Sequence, residues 1–448
     1  MSASLEAWLS LLERRHPLEV DLGLERVRAV WERLGSPVPA ERCVVVAGTN
    51  GKGSTVAVIC ALLESLGFRC GAYTTPHIHT YNERVRFAGR NADDRQFIEA
   101  FERIEAVRGD VGLSYFEFGT LAAFLILEAQ QLDFAVMEIG LGGRLDAVNL
   151  LDGDCTVITP VGLDHQEYLG DTREAICYEK AGIIRRGRPL VLGDRDPPAS
   201  VLEVARTLEA PVRRIGRDYE LTGQGDHAVY RYDARSLELP RPPLAGAHQF
   251  DNAATGLAAV LELLPDAIDR AGALRHGLDS VRLRGRFEQV AAAPDIWIDV
   301  GHNPLGAEVI ARTLAERMPA DGAGQVRCVF GMLADKDIGG VAAVMAPVVD
   351  EWLITGIGGS RGASADEVAA QVGVGLFKDG EHPVEGGVGK AQRGAVLVGE
   401  EAVAVLGPAE DRLGQQVGEH PARGGELLAQ EVVVVAGDEI GEQFPVAM

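Results

Sequence analysis

Residues 47–55, with the sequence AGTNGKGST, have the composition of a polyphosphate-binding loop. They follow the apolar run at residues 43–46 and lead into an amphipathic segment, so the pattern predicts a strand, a glycine-rich turn and a helix. Glycines let the backbone approach a phosphate, the first helical turn offers unpaired N–H groups, and Lys52 supplies positive charge. The spacing differs from the standard Walker motif, because Gly53 separates Lys52 from Ser54. The alternative interpretation is a glycine turn that carries a surface lysine.

Four further polar clusters, at residues 73–77, 137–146, 163–165 and 178–182, stand near the ends of predicted strands or helices. Open parallel sheets place their ligands at the carboxyl ends of strands. Thr75, Glu138 and His165 offer a hydroxyl, a carboxylate and an imidazole that could meet at one Mg²⁺, an ion that prefers oxygen ligands. The histidine by itself would favour zinc or no metal. Each cluster taken alone could equally be a helix cap or a solvated turn.

The second half of the chain adds residues 283–286 (LRGR), 299–304 (DVGHNP) and 331–337 (GMLADKD). An arginine such as Arg286 could stabilise the charge on a transferring phosphoryl group. The alternative for Arg286 is a surface position. For Asp335 and Lys336, a solvated loop explains the pattern as well as a functional role does.

Apolar strand-like runs alternate with helical periods through most of the sequence, which predicts an α/β fold with a mostly parallel sheet. An antiparallel excursion is expected at residues 213–243, and a second α/β series begins at residue 296. We therefore expect an ATP-binding domain at residues 1–290 and a smaller α/β domain at 295–372, with the boundary near residues 291–294.

The segment from residue 373 to 448 differs in composition from the rest of the chain. It holds 15 glycines in 76 residues, against 39 in the preceding 372. Because glycine raises the entropy cost of ordering a chain, we expect an altered or poorly ordered tail. Its apolar run at residues 432–435 would supply an edge strand at most.

Charge and cysteine content restrict the partners and the compartment. The formal net charge of −23 over 448 residues argues against nucleic acid as a partner, since such binding relies on Lys and Arg. The six cysteines include no CxxC pair, which favours reduced thiols and a reducing compartment. The first residues show neither a signal peptide nor a membrane span. The expected location is therefore cytoplasmic, with no membrane partner.

Together these segments closely resemble the folylpolyglutamate synthase and dihydrofolate synthase family, relatives of the Mur ligases. The resemblance rests on the ordered motifs GTNGKGS, TTPHI, NERVR, YFEFG, EIGLGGRLDAVN, GLDHQEYLG, EKAGI, RGRFE, DVGHNP and GMLADKD. It implies a Mur ligase-like α/β fold, with a P-loop ATPase domain and a second, smaller α/β domain. It also implies a monomer that uses ATP and Mg²⁺ to add L-glutamate to dihydropteroate and to folates through an acyl phosphate.

The resemblance also implies roles for individual residues. The phosphates of ATP would be held by Thr49, Asn50, Gly51 and Lys52, and further ATP contacts would come from Asn252, Arg286 and Asp299, the last at the ribose. Mg²⁺ would be bound by Thr75, Glu138 and His165. Lys180 matches a lysine that the family can carbamylate, and His302 would lie near the incoming glutamate. The catalytic set is then Lys52, Lys180, His302 and Arg286.

A pterin-binding role is implied for three segments of the chain. Their candidate substrate residues are Leu22, Gly23, Tyr115, Phe116, Glu117, Leu145, Asp146 and Ala147. Phe116 is alternatively a core residue. Two other functions stay open. One is a Mur-type ligase for a peptidoglycan precursor. The other is a non-catalytic ATP-binding remnant, because the Gly-Ser-aromatic turn with which the family normally ends is absent after residue 373.

Overall fold

The structure, a computed structural model, describes residues 4–15, 22–292, 295–317, 325–358, 362–373 and 431–436. The chain divides into two compact units. One takes in the chain up to His77 together with Tyr81–Pro243 and His248–Leu283. The other consists of Ile78–Thr80, Leu244–Ala247 and the chain from Arg284 onward.

The first unit contains two sheets and ten described α-helices. Its elements in chain order are α1 (Leu5–Arg15), α2 (Glu25–Arg33), β1 (Ala40–Ala47), α3 (Lys52–Ser65), β2 (Cys70–Tyr73), β3 (Val85–Phe87), β4 (Arg90–Asn91), α4 (Asp94–Arg108), α5 (Tyr115–Glu128), β5 (Leu132–Glu138), β6 (Cys155–Ile158), α6 (Gln166–Leu169), α7 (Arg173–Ala181), β7 (Leu190–Leu192), α8 (Ala199–Thr207), β8 (Val212–Arg214), β9 (Tyr219–Gln224), β10 (His227–Tyr232), β11 (Arg235–Pro240), α9 (His248–Leu263) and α10 (Ala271–Asp279).

The larger sheet has eight strands in the order β4-β3-β2-β5-β1-β6-β7-β8. The six strands β2, β5, β1, β6, β7 and β8 run parallel to one another. At one edge of the sheet, β3 pairs antiparallel with β2, and β4 pairs antiparallel with β3. The last five residues of β1 are all buried, as expected for a strand covered by helices on both faces. Strands β2, β5, β1 and β6 end side by side, so the segments that follow them share one edge of the sheet.

Two helices that begin at this edge, α5 and α3, are largely buried. Helix α5 is apolar around nearly its whole circumference and buries every residue from Glu117 to Leu127. Helix α3 starts at the glycine-rich loop, and its buried face includes Ile59 and Leu62. Strands β9, β10 and β11 form a separate antiparallel sheet, which confirms the excursion expected at residues 213–243.

The second unit is built on a five-stranded sheet in the order β12-β13-β16-β14-β15. Its elements are β12 (Glu288–Ala292), β13 (Asp295–Asp299), α11 (Pro304–Arg317), β14 (Gln325–Phe330), α12 (Ile338–Met345), β15 (Glu351–Ile354), α13 (Ala365–Val372) and β16 (Glu431–Ala436). Strand β12 is antiparallel to β13, and the remaining pairs are parallel.

The strand at residues 431–436 corrects one prediction. The apolar run at 432–435 was expected to lie at a sheet edge, but β16 pairs with β13 on one side and with β14 on the other. The prediction failed because an interior parallel strand and an edge strand show the same short apolar run, and the run alone does not reveal its neighbours. The rest of the predicted tail, residues 374–430 and 437–448, lies outside the described residues.

The division between the units also differs from the expected one. It falls between Leu283 and Arg284, whereas the sequence placed the boundary near residues 291–294. Strand β12 pairs with β13, so it joins the second sheet instead of ending the first unit. All six cysteines are free thiols, as predicted. Over the described part of the chain, no helix has both the length and the apolar character needed to cross a membrane.

Candidate active site

The glycine-rich loop connects β1 to α3, as the sequence predicts. Gly51 is the N-cap of α3 and has a φ of 86°, in the left-handed region that favours glycine. A Cβ on Gly51 would lie 2.4 Å from Oδ1 of Asn252, so the loop and helix α9 approach too closely for any side chain. Asn252 is 4% exposed and donates from Nδ2 to Gln249. The predicted nucleotide residues Gly51 and Asn252 are therefore neighbours.

Lys52, the first residue of α3, folds back over the loop. Its Nζ donates to the carbonyl oxygens of Gly48, at 3.2 Å, and Thr49, at 3.1 Å. The N–H groups of Thr49 and Asn50 both donate to the carbonyl of Pro160, at 2.9 and 3.4 Å. A bound phosphate would exchange hydrogen bonds within the loop for bonds to its own oxygens. Such an exchange suits a loop that opens and closes around a nucleotide.

Glu138 and Thr75 meet at the carboxyl edge of the large sheet. Glu138 ends β5 and is 3% exposed, and its Oε2 accepts a hydrogen bond of 3.3 Å from the backbone N–H of Thr75. Thr75 follows β2, the neighbouring strand. A carboxylate buried at a strand end is costly unless charge or hydrogen bonds compensate it. The carboxylate of Glu138 and the hydroxyl of Thr75 are oxygen groups of the type that Mg²⁺ prefers.

His165 follows β6, which lies two strands away from β5 in the same sheet. It has a φ of 50° and immediately precedes α6, and its backbone N–H donates to Oδ1 of Asp164 at 2.9 Å. Its imidazole Nε2 lies 3.9 Å from the same carboxylate oxygen. Among the described residues, no three His, Cys, Asp or Glu side chains are grouped closely enough to bind one metal ion. The predicted set is of a different kind, because one of its three members is the threonine Thr75.

Lys180 is a buried amine near this edge. It lies in α7 and is 5% exposed. Its pKa is lowered from 10.5 to about 7, first by burial and then by the positive charge of Lys52, whereas Asp164, Cys177 and Asp146 act in the opposite direction. The electrostatic influence of Lys52 and Asp164 links Lys180 to both the phosphate loop and the histidine segment. The structure thus brings the predicted residues Lys52 and Lys180 into one region.

Asp146 is a second buried ionisable group at the edge. It is 2% exposed and accepts hydrogen bonds of 2.9 Å from the backbone N–H groups of Leu141 and Val148. Burial raises its pKa from 3.8 to about 7, while these N–H donors and Lys180 lower it. Its neighbour Ala147 is buried, and Leu145 is half-buried. The hydrogen bonds of Asp146 fix the turn that carries all three predicted substrate residues.

The aromatic segment at the start of α5 has two kinds of residue. Phe116 is half-buried, with its ring centroid 6.4 Å from that of Tyr73, and Tyr115 lies 5.9 Å from Tyr81. Glu117 is instead 3% exposed and fully engaged: Oε2 accepts from the N–H of Ser114 at 2.8 Å. Its Oε1 accepts from Arg26 at 3.1 Å. The structure therefore gives Glu117 a role as helix cap and ion-pair partner, which the substrate prediction did not include.

Leu22 and Gly23 lie just before α2 and are half-buried. A Cβ on Gly23 would lie 3.3 Å from Oε2 of Glu25 and 3.9 Å from an Nη of Arg26. Because Arg26 pairs with Glu117, these predicted substrate residues lie close to the N-terminus of α5.

The second unit holds the remaining predicted residues, Arg286, Asp299 and His302. Asp299 ends β13, and its two carboxylate oxygens accept from the N–H groups of Phe287, at 2.8 Å, and Gly301, at 2.7 Å. Removal from water raises the pKa of Asp299, whereas Arg286 and these N–H groups lower it. Asp299 thus ties the Arg286 loop to the loop after β13, in addition to any contact with a ribose.

The orientation of His302 can be read from its hydrogen bond. Its Nδ1 lies 3.1 Å from the carbonyl oxygen of Val300. A carbonyl only accepts, so Nδ1 carries the proton and Nε2 is the acceptor of this imidazole. Arg286 is half-buried and donates to the carbonyl of Gly285 at 3.0 Å.

Arg84 and His77 were not predicted as site residues, although they lie in the motifs NERVR and TTPHI. Arg84 Nε donates to His77 Nδ1 at 3.0 Å, and its guanidinium lies over the rings of Tyr81 and Tyr115. Burial, and then the charge of Arg84, lower the pKa of His77 from 6.5 to about 3. The only signal in the sequence was the proximity of the NERVR motif to TTPHI, which says nothing about side-chain contacts.

Comparisons with known families agree with this geometry. Residues 46–260 match the family described as Mur ligase middle domain, and residues 285–399 match the Mur ligase, glutamate ligase domain. The fold and these matches thus define an ATP-dependent, amide-forming ligase built from Mur ligase domains. More narrowly, this chain belongs to the dihydrofolate synthase/folylpolyglutamate synthase family, as its curated relatives show. It is 40% identical over 386 residues to the dihydrofolate synthase/folylpolyglutamate synthase of Escherichia coli strain K12, covering 84% of this chain and 88% of that relative.

Solved structures give the same result. One of E. coli FolC in complex with DHPP and ADP superposes with a TM-score of 0.83 and 34% identity, covering 99% of this chain and 96% of the other. A crystal structure of a bifunctional folylpolyglutamate synthase/dihydrofolate synthase with Mn, AMPPNP and L-glutamate bound has a TM-score of 0.80 and 37% identity, with coverage of 99% and 97%.

Proposed function

We propose that this chain adds L-glutamate to dihydropteroate and to folates in an ATP-dependent reaction. A substrate carboxylate oxygen attacks the γ-phosphorus of ATP, which forms an acyl phosphate and releases ADP. The amine of glutamate then attacks the acyl carbon, the amide bond forms, and inorganic phosphate leaves. The observation that carries the proposal is the arrangement of the phosphate loop, Glu138 and Lys180 at one sheet edge, in a chain 40% identical to a relative of that name.

The residues at the sheet edge fit a magnesium ion. Thr75 and Glu138 are in hydrogen-bond contact, and their oxygens, with the imidazole of His165, would form the protein part of its coordination shell. When bound, the ion neutralises charge that develops on the transferred phosphoryl group. Lys52 reaches the same phosphates from the start of α3. Thr49, Asn50, Gly51 and Asn252 would hold and orient the nucleotide.

Residues of the second unit would bind the amine of glutamate. In our proposal, Nε2 of His302 accepts a hydrogen bond from the ammonium group of glutamate, since the proton of this imidazole is held on Nδ1 by Val300. Arg286 would stabilise the phosphoryl charge, and Asp299 would orient Arg286 through the loop that it anchors. Asp299 would also contact the ribose of ATP.

Phe116 is the best candidate to contact the flat pterin ring. It is half-buried, and Gly140 permits its close packing, because a Cβ there would lie 2.5 Å from the Phe116 ring. An aromatic ring in this position can stack on a heterocycle. Leu22, Gly23, Leu145 and Ala147 would complete the surroundings, with Tyr115 and Asp146 as polar partners.

The test is phosphate release from ATP with glutamate and, in parallel, dihydropteroate, tetrahydrofolate or a peptidoglycan precursor. We expect turnover with the first two acceptors and none with the third. Turnover with the peptidoglycan precursor alone would assign the chain to the rival ligase class. No turnover with any acceptor, together with retained ATP binding, would make it a non-catalytic remnant.

Two variants give this test its controls. Lys52→Ala and Glu138→Ala should each lower the rate about a hundredfold or more, since losing one stabilising contact to a transferring group costs on the order of 3 kcal/mol. Circular dichroism checks that both variants fold. Wild-type turnover in either folded variant would remove that residue from the site.

We further propose that the protein acts as a monomer in the cytoplasm. The six free cysteines support a reducing compartment. Light scattering after gel filtration measures the mass directly, and a dimer mass at micromolar concentration would contradict the monomer.

A further inference from the structure

We infer that Arg84 is a positioning residue that supports the metal-binding segment and the substrate segment at the same time. This inference rests on the proposed function, because that function gives Thr75 and Phe116 their roles. Arg84 is the last residue of a short 3₁₀ turn, Tyr81–Arg84, and directly precedes β3.

Arg84 holds the segment at residues 74–77 at two points. Its carbonyl oxygen accepts a hydrogen bond of 2.9 Å from the N–H of Thr74. Its Nε donates to Nδ1 of His77 at 3.0 Å. Thr75 lies between these two attachment points and donates its own N–H to Glu138. Arg84 is therefore bonded to the chain on both sides of Thr75, through its backbone at Thr74 and through its side chain at His77.

The same guanidinium reaches the start of α5. It lies 5.0 Å from the ring centroid of Tyr81 and 5.5 Å from that of Tyr115, and the two rings meet edge to face at 80°. Tyr115 is the first residue of α5 and is adjacent to Phe116. Contact with Arg84 thus limits the positions that the first turn of α5 can take.

Arginine is the one side chain suited to both tasks. Its Nε–H is a directional donor in the plane of the group, and its flat faces stack on aromatic rings. A lysine at this position could keep a positive charge over one ring but could not donate in the plane while stacking on two rings. Support of this kind behind metal ligands is worth about 10- to 100-fold in metal affinity.

The variants are Arg84→Met and Arg84→Lys, with Arg90→Met as the matched control. Arg90 lies in β4, is exposed and places its guanidinium 5.0 Å from the ring of Phe87, so Arg90→Met removes an arginine–aromatic contact from the same hairpin without touching residues 74–77. Two affinities are measured by calorimetry on the full chain. One is that of Mn²⁺ with AMPPNP present, and the other is that of dihydropteroate. Melting temperatures are recorded alongside.

We expect Arg84→Met to weaken both affinities about 10- to 100-fold. Arg84→Lys should give an intermediate loss, and Arg90→Met should leave both affinities unchanged. A folded Arg84→Met protein with wild-type affinities would overturn the inference. If Arg84→Met does not fold, Arg84→Lys decides: wild-type values for both affinities overturn the inference, and parallel losses support it. A lower melting temperature with unchanged affinities would reduce Arg84 to a purely structural role.

These binding measurements need no turnover. If the wild-type chain binds Mn²⁺ and dihydropteroate but does not ligate glutamate, the proposed function fails while the role of Arg84 is still decided. If the wild-type chain ligates glutamate and the Arg84 variants bind normally, only the inference fails.

Discussion

The surroundings of Lys180 change the protonation of its amine. A lysine amine is ordinarily protonated at neutral pH, and a protonated amine cannot attack carbon dioxide. Burial, and then Lys52, bring the pKa of Lys180 down to about 7, so near neutral pH a large share of its amine is unprotonated. Carbamylation would replace a cation that repels Lys52 by an anion that attracts it. The electrostatics therefore favour the modification that the family resemblance implies.

We predict a carbamate on Lys180 whose occupancy rises with pH. The amine loses its proton as the pH rises through about 7, so bicarbonate-fed protein at pH 8 should carry more carbamate than at pH 6. The measurement is carbon-13 NMR with labelled bicarbonate, which is simple in a chain with five lysines. Lys180→Arg is the control and should lose the signal. An identical signal in Lys180→Arg would place the carbamate elsewhere.

The same shift has a consequence for stability. Between pH 7 and 10.5 the unfolded chain holds a proton on Lys180 that the unmodified folded chain has released. The contribution of Lys180 to the free energy of unfolding therefore increases as the pH rises through this window.

The sequence predicts where some candidate site residues lie, although their roles stay predictions. Lys52, Glu138 and Lys180 stand in or next to strands and helices that apolar periodicity reveals, so their places in the fold could be predicted. Arg84 was not found, because its partners are aromatic rings and a histidine that only the folded chain brings together. Glu117 stays a predicted substrate residue, and the structure adds contacts that its motif does not reveal, because its oxygens accept from the N–H of Ser114 and from Arg26.

In the proposed function, helix α5 would connect the stability of the first unit with substrate choice. Its N-terminus has a complete capping box, in which Ser114 and Glu117 bond each other's backbone N–H groups. The first turn of the helix carries Tyr115 and Phe116. Fraying of this turn would move the aromatic segment, whereas fraying elsewhere in the unit would not.

We predict that Ser114→Ala weakens dihydropteroate binding more than ATP binding. Losing an N-cap costs about 1 kcal/mol of stability. The matched control is Asp93→Ala, which removes the capping box of α4 and should cost a similar amount of stability. Urea unfolding and calorimetry measure both effects. Equal pterin affinity in the two variants would show that the α5 cap has no part in substrate binding.

Most elements of the fold were predictable from apolar periodicity. The runs at residues 43–46, 134–139 and 155–159 became β1, β5 and β6, because buried parallel strands need continuous apolar side chains. The order of strands within a sheet was not predictable in the same way. Residues 288–292 join β13 through backbone pairing, and this pairing leaves no periodic signal in the sequence.

At the scale of the whole molecule, the second unit depends on a distant segment. Strand β16 separates β13 from β14, so without it the sheet falls into two pairs of strands. Each pair would then depend on the helices that pack against it, because two strands by themselves are only marginally stable. The segment at residues 431–436 is therefore part of the core architecture of this unit.

We predict that Val433→Pro destabilises the second unit and leaves the first intact. Val433 pairs with Ile296 and Arg327 on opposite sides, and proline removes a ladder donor at a cost of about 1–3 kcal/mol. Val290→Pro is the control, since Val290 lies at a bulge in the edge strand β12. Urea unfolding followed by Trp297 and Trp352 fluorescence, with Trp8 and Trp31 changed to Phe, reports on the second unit. Equal midpoints for the two proline variants would contradict an interior position for β16.

The position of β16 also determines when each unit can fold during synthesis. All eight strands of the large sheet come from residues 40–214, so that sheet can close while the ribosome is still translating. From β14 to β16 the ribosome needs roughly 5–20 s at about 5–20 residues per second. During that interval the edges of β13 and β14 expose unpaired N–H and C=O groups to other nascent chains. The growing chain is thus exposed to aggregation, and to capture by chaperones, until residues 431–436 have been translated.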